Sequence, residues 1–550
     1  MILRRRRVKH VLFLLALCYV FFMLGNSVLS LTNPDEVFYS QTAREMMQKD
    51  SWMTPYLFGE PQFEKPIMTY WLLRLAFEAG GANPFSARFF PAFFAAIGIV
   101  AIYYLGLVGF KDERKALVSS VVMMSSGFYM GLARTVFTDM IFTVFILLSL
   151  LCFYWGYSLE KRRQAGWVLF FVFSALAVLT KGPLGLLIPL AVIAVFLGIR
   201  KEWRFLKGWG FVLGLAVFCL LALPWYLFMT KTYGTTFTHE FFYNDHWRRV
   251  VEAEHPGADS WYFYPLGAIG SLFPWSVFLV LGFAALLRRR MFREPFYLFL
   301  LLWVAAVFVI FQSAHSKLVS YIFPFFPALA LVAGGWMADE EKTGHSRALR
   351  PAFMATGIFC LSLPVVSMAA PFVFQAYVTH PAPVFIFAGF LVVYLAVFFV
   401  LTYRRIFKAS FWLLAALLPL LLGFSLAMSP HFQAFVSSAE AGRYLKENTP
   451  ARGTILSSKF YARGIRYYTD REVAVIDING KGYFSPHPVE YLNTEEKLHS
   501  FLSREPVTYA VLRKGYVKDL DRLLGGRFSH ETLYVAGDEY IVRITPKDKI

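Results

Sequence analysis

Charge is what this sequence has least of. Of its 550 residues, 16% are Asp, Glu, Lys or Arg, against roughly 25% in a soluble domain. Hydrophobic residues make up 57% and aromatics 18%, which excludes a disordered chain. The lack of any short repeat excludes collagen and coiled coil. Cysteine is also scarce. The four, Cys18, Cys152, Cys219 and Cys360, all lie inside apolar runs, so there is no disulfide framework and no CxxC metal site. The polar tail has none and can sit in an oxidising compartment without bridges. No glycine-rich strand-to-helix fingerprint occurs, so no nucleotide cofactor is expected. Internal repeats and low-complexity linkers are missing as well.

What is present is a series of long apolar runs. A spanning helix needs about 20 mostly apolar residues. Thirteen candidates appear, at 9–31, 85–110, 116–133, 140–158, 166–180, 183–199, 209–229, 262–287, 295–312, 318–337, 352–374, 383–402 and 410–429. The N-terminus has the basic start of a signal peptide (Arg4 to Arg7) but no small-residue cleavage site after it, so it is kept as the first span. The net charge is +18. The tail from 431 is nearly balanced, with 18 basic and 15 acidic residues. The excess therefore sits in membrane loops, where insertion topology explains it without a nucleic-acid partner. With the N-terminus cytoplasmic, every second loop is basic, from Lys111/Arg114/Lys115 to Arg404/Arg405/Lys408. Thirteen spans then put the tail on the outer side.

The expected fold is a polytopic α-helical membrane protein with a C-terminal soluble α/β domain. Residues 1–430 form the membrane part, with long outer loops at 32–84 and 230–261, and 431–550 form the tail. In the tail, β-rich runs at 454–457, 473–476, 507–512, 533–535 and 540–544 alternate with helical stretches at 439–447, 494–503 and 517–524.

Ionisable residues at span ends are costly and often functional. On this topology Asp35, Glu36, Glu64, Lys65, Arg134, Asp139, Lys181, Asp245, Arg249, His315 and Lys317 all fall on the outer face, from loops far apart in sequence. They compose one polar cluster at the membrane surface. Each has a structural reading too. Asp35, next to Pro34, could cap the amphipathic stretch 36–48. Glu64-Lys65 could be a surface pair, or Lys65 a phosphate binder. Arg134 and Asp139 could mark the interface, and Lys181-Gly182-Pro183 could be a helix end. The run from Asn244 through Asp245, His246 and Arg249, followed by His255, Trp261 and Tyr262, could rest on anionic lipid or bind phosphate. Lys317 and Tyr321, four apart, share a face if helical, and Tyr321 could be a belt anchor. Together, acids mixed with phosphate-type cations on one side fit the handling of a lipid phosphate and a hydroxylated group beside it.

These segments, in this order, resemble the GT-C membrane glycosyltransferases, specifically the bacterial aminoarabinose transferase and protein O-mannosyltransferase superfamily. The matching pieces are Asp35-Glu36-x-x-Tyr39, Glu64-Lys65-Pro66, Arg134-x4-Asp139, Thr180-Lys181-Gly182-Pro183, Asp245-His246-x-x-Arg249 with Trp261-Tyr262, and Lys317-Leu318-x-x-Tyr321-x-x-Pro324. Beyond 324 the likeness lies in the layout of spans and tail. The resemblance implies a bacterial inner-membrane enzyme with a periplasmic tail. It would move a sugar, 4-amino-4-deoxy-L-arabinose or a related group, from undecaprenyl phosphate to lipid A or another envelope acceptor, with inversion. By the same resemblance Asp35 is the acid at the reaction centre and Asp139 supports it. Lys65 and Arg249 hold the donor phosphate, with Tyr321 and Lys317 beside it. Glu36, Tyr39, Glu64, Lys181 and His246 contact substrate or order the loops, and Glu64 could bind a divalent metal ion. Two positions depart from the aminoarabinose transferases, which often have Arg where Phe38 stands and an aromatic where Gln62 stands. These departures leave open another sugar, such as galacturonic acid or mannose, and other acceptors. The competing reading is a lipid or sugar transporter or flippase. Such proteins place charges near the midplane and often show repeats.

Overall fold

The structure, a computed structural model, describes residues 2–252, 260–342, 346–375, 377–378, 380–480, 482–483 and 489–547. His255 lies outside the described residues. Helices dominate up to Val436, and a six-stranded sheet follows. Among the described residues, nine helices are long and apolar enough to cross a membrane, or up to eleven if each of two bent pairs is one span. The bent pairs are Glu113–Met124 with Gly127–Ala133, at 67°, and Phe263–Ser271 with Ser276–Arg288, at 117°. Each of the thirteen expected segments is helical over most of its length. The count differs because Leu184–Arg200 has 17 residues, short of a full crossing at 1.5 Å per residue, and because the first helix, Ile2–Cys18 continued by Tyr19–Met23, carries Arg4 to Arg7 and Lys9 in its first half.

Local chemistry sets the boundaries. Asn83 caps Pro84–Phe110 by accepting from the Ser86 N–H at 3.0 Å, with proline at the first helical position. Asp112 caps Glu113–Met124 by accepting from the Arg114 and Lys115 N–H groups. Close helix contacts use small residues: a Cβ on Gly334 would lie 2.5 Å from the Ser119 backbone, as expected where packing holds helices together. At this end of the bundle the basic loops meet acids, with Lys115 on Asp339 at 2.7 Å and Arg289 on Glu340 at 2.5 Å.

The other end is built from the two long loops, and both carry more helix than expected. Residues 32–84 contain Asp35–Gln48, a two-stranded hairpin (Tyr56–Leu57 with Glu60–Pro61) and Met68–Gly80. Of the expected loop 230–261, the part to Val251 is helical on both sides of a break at Gly234. Gly234, with φ +57°, kinks it, so this stretch folds back over the bundle end.

The tail is a mixed sheet in the order Tyr491–Leu492, Val473–Ile476, Ile455–Ser458, Thr508–Arg513, Glu539–Pro546, Phe528–Ala536. The first four strands are parallel and the last two antiparallel. The expected run 533–535 is part of a longer strand with a bulge between Thr532 and Tyr534. Helix Ala462–Thr469 and strand Tyr491–Leu492 are additions to the sequence reading. The helix packs on Asp35–Gln48. Arg44 pairs with Asp470 at 3.2 Å and lies 4.6 Å from the Tyr467 ring centre. The Asn33 N–H donates to the Val436 carbonyl at 2.9 Å, and the Tyr468 hydroxyl donates to the Leu31 carbonyl at 3.0 Å.

Candidate active site

A cavity of about 950 Å³ lies between the bundle end and the tail's sheet. Nine of the eleven predicted site residues line it: Asp35, Tyr39, Glu64, Lys65, Asp139, Lys181, His246, Arg249 and Tyr321. They arrive on separate elements. Asp35 opens helix Asp35–Gln48 rather than capping it; the cap position is Pro34, with no side-chain bond. Asp139 stands in the first turn of Thr138–Ser158 and Lys181 ends Arg163–Lys181.

Ion pairs weave these residues into one network. Lys65 Nζ donates to both oxygens of Asp245, at 3.0 and 2.8 Å. Arg249 reaches the same carboxylate at 3.1 Å and donates to the Tyr321 hydroxyl at 2.9 Å. Lys181 lies 5.0 Å from the Tyr321 ring centre and pairs with Asp139 at 2.6 Å. The buried Asp245 thus holds both cations assigned to the phosphate, a role the sequence motif did not disclose. Apart from these pairs stands Asp35. Burial raises its carboxyl above the ordinary aspartate range. Arg463 and Lys65 pull it down, while Glu64 and Asp139 push it up.

The Lys-Gly-Pro motif has a steric reason. Gly182 has φ +88°, and a Cβ there would lie 2.5 Å from His246 Nε2. His246 is held by a 2.7 Å hydrogen bond between Nδ1 and the Phe241 carbonyl. Glycine lets the imidazole approach and supplies the left-handed backbone.

Two predicted residues do not line the cavity. Glu36 is buried against Arg88 in a two-pronged pair at 2.8 and 2.6 Å. Its oxygens also accept from the Thr32 N–H and hydroxyl and from the Val136 N–H. Arg88 in turn donates to the Asn26, Leu29 and Ser30 carbonyls. Glu36 therefore ties the Thr32 and Val136 segments to Arg88, outside the cavity wall. Lys317 is buried and stands outside the cavity wall. Val319–Phe325 is a 3₁₀ helix entered through extended Leu318, so the four-residue rule that joined Lys317 to Tyr321 does not apply. Arg134 is likewise structural, donating to the Phe21 and Leu24 carbonyls. Trp261 and Tyr262 are exposed on the outside.

The sequence reading missed the tail's share of the wall: Lys459, Phe460, Arg463, Asp477, Tyr483, Arg513 and Tyr516. Among the described residues, no group of three or more His, Cys, Asp or Glu side chains could hold a metal ion. Among the described residues, Glu64 therefore lacks the companions a divalent site needs.

Comparisons agree with this architecture. Residues 8–237 match the family described as dolichyl-phosphate-mannose-protein mannosyltransferase. The chain is 30% identical over 354 residues to the undecaprenyl phosphate-alpha-4-amino-4-deoxy-L-arabinose arabinosyl transferase of Pseudomonas aeruginosa strain LESB58, covering 64% of this chain and 63% of that protein. It is 28% identical over 487 residues to the enzyme of that name from Aeromonas hydrophila, covering 84% and 85%. In structure it superimposes on ArnT from Cupriavidus metallidurans bound to undecaprenyl phosphate with TM-score 0.79 and 20% identity, covering 97% of each chain. The chain has the GT-C fold, and the resemblance carried by its motifs holds.

Proposed function

We propose that this protein is a polyprenyl-phosphate-dependent glycosyltransferase. It takes a sugar from undecaprenyl phosphate, as the names of its relatives suggest, and passes it to an envelope acceptor. 4-Amino-4-deoxy-L-arabinose and lipid A are the first candidates. The bundle 1–430 and the tail 431–550 act as two domains. The N-terminus is cytoplasmic, and the cavity and tail face the periplasm of a bacterial inner membrane.

One observation carries the reading. Asp35 and Asp139 share a cavity with Lys65, Arg249 and Tyr321, and that cavity is also walled by apolar Leu187 and Val250, exposed on the bundle. A prenyl chain lies along the apolar wall and its phosphate against the cations. In the displacement, a lone pair of the acceptor oxygen forms a bond to the anomeric carbon. The bond from that carbon to the phosphate oxygen breaks, and its electron pair leaves with the phosphate. Lys65 and Arg249 stabilise that charge. A hydroxyl acceptor gives its proton to Asp35. A phosphate acceptor needs no base, and Asp35 then steadies positive charge on the sugar. A single displacement inverts the anomeric centre. A transporter would need its charges near the midplane, whereas these gather at one end of the bundle.

The test is mass spectrometry of lipid A and other envelope glycans from cells with wild type or Asp35→Asn at matched levels. A sugar-sized mass present only with wild type supports transfer. The same sugar attached equally by both proteins removes Asp35 from the centre and sinks the reading.

A further inference from the structure

The tail's sheet contains a crevice at the ends of its parallel strands. From Ile455–Ser458 the chain adds Val473–Ile476 and Tyr491–Leu492 on one side, then crosses to add Thr508–Arg513 on the other. The strand order reverses between Ser458 and Arg513. In open sheets with parallel strands, ligands bind outside the carboxyl ends of the strands at such a point. Here those ends open onto the cavity that holds Asp35. The Arg513 N–H donates to Ser458 Oγ at 3.1 Å, joining the two strand ends.

The crevice is built for an anion on a ring. Three cations line it: Lys459 just past one strand, Arg513 ending the other, and Arg463 in the first turn of Ala462–Thr469. Aromatic rings lie between them. Arg463 is 4.7 Å from the Phe38 ring centre and 5.5 Å from that of Tyr483. Lys459 is 5.0 Å from the Tyr483 ring centre, and Arg513 is 4.8 Å from that of Phe460. Asp477 lies 3.7 Å from Lys459 and accepts from the Tyr516 hydroxyl at 3.4 Å, which positions this edge.

We propose that this crevice is the acceptor subsite, and that it binds a sugar carrying a phosphate or carboxylate through Arg463, Arg513 and Lys459. The proposal rests on the transferase reading. An inverting displacement brings the acceptor from the side opposite the leaving phosphate. With that phosphate at Lys65 and Arg249 on the bundle, the tail supplies the cavity's other wall. Arg463 and Lys65 both act on the Asp35 carboxyl, so the reaction centre lies between the two walls.

The test uses the full-length protein in detergent. Saturation-transfer NMR measures binding of glucose 1-phosphate, glucuronate and glucose; undecaprenyl phosphate binding is measured on the same samples. Wild type should bind one or both anionic sugars and not glucose, and the tighter of the two identifies the anion. Arg513→Gln, at an exposed side chain, and Arg463→Gln should each weaken that binding roughly tenfold, about the worth of one charge-assisted hydrogen bond. Arg463→Lys should recover part of it. Undecaprenyl phosphate binding should stay within about twofold, while Lys65→Ala should lose it and keep the sugar. Anionic-sugar binding unchanged in both arginine variants, or glucose binding equally well, overturns the subsite. Wild type that fails to bind undecaprenyl phosphate overturns the donor reading instead, and the acceptor assignment falls with it.

Discussion

At the scale of single residues, Asp35 and Glu36 are neighbours with opposite employments. Asp35 faces the cavity with its pKa raised, chiefly by burial. A folded-state value above the unfolded one means its stabilising contribution is present below the unfolded pKa and lost as pH rises through the folded one. At neutral pH, above the unfolded value, burying this carboxyl therefore costs stability. Asp35→Asn should raise the melting temperature at pH 7 while lowering transfer by roughly 10²–10⁴-fold. A variant that is both slow and less stable would contradict this account. For a hydroxyl acceptor, transfer falls as pH falls, with the acid limb above the ordinary aspartate range. Removing the Arg463 charge should move that limb higher, which a pH–rate profile of Arg463→Gln reads directly. Glu36, at 2% exposure against Arg88 at 5%, does the reverse. Glu36→Ala strands a buried guanidinium, and about 3–5 kcal/mol of stability should go with it, visible as a large drop in melting temperature. Both acids were legible as important from Pro34-Asp35-Glu36. Their division of labour was not, because Arg88 sits 52 positions away inside an apolar run.

At the scale of elements, the motifs were readable wherever geometry is local. Lys181-Gly182-Pro183 announced a helix end, and the structure gives its reason in the close approach of His246 to Gly182. Gly182→Ala should displace His246 and Lys181 together. Transfer should fall at least tenfold, through misplacement of groups that must be held within fractions of an ångström. Comparing undecaprenyl phosphate affinity with turnover in this variant separates a binding defect from a chemical one. The sequence misled where the backbone departs from the form expected of it. Lys317 and Tyr321 part company because a 3₁₀ turn follows Leu318, and the expected loop after 229 holds a second helix because the non-helical backbone of Gly234 ends one helix and redirects the chain into the next. Hydropathy finds apolar runs but not their bends, so the 117° break before Ser276 was invisible to it.

At the scale of the whole molecule, what the sequence concealed is how the tail sits on the bundle, since Asn33 and Glu539 meet across 506 positions. The join is polar and buried. Ser438 Oγ donates to Glu539 at 2.6 Å, and Asn33 Nδ2 to Ser438 at 2.7 Å. Helix Ala462–Thr469, carrying Arg463, packs against this join, where a Cβ on Gly464 would meet Asn33 Oδ1 and Ser438 Oγ. Burial pushes the Glu539 carboxyl up to about 8, with Ser438 opposing and Glu440 and Asp538 assisting. Between the unfolded value near 4.5 and about 8, the unfolded chain releases its proton and the folded chain keeps it. Stability from this group therefore falls as pH rises through that window and levels off above it. Glu539→Gln keeps an acceptor for Ser438 and has nothing to ionise. Melting temperatures from pH 5 to 8.5 should decline less steeply in the variant than in wild type, the two curves diverging toward high pH. Parallel curves would mean that Glu539 does not titrate in this range and that the seat of the tail is indifferent to pH.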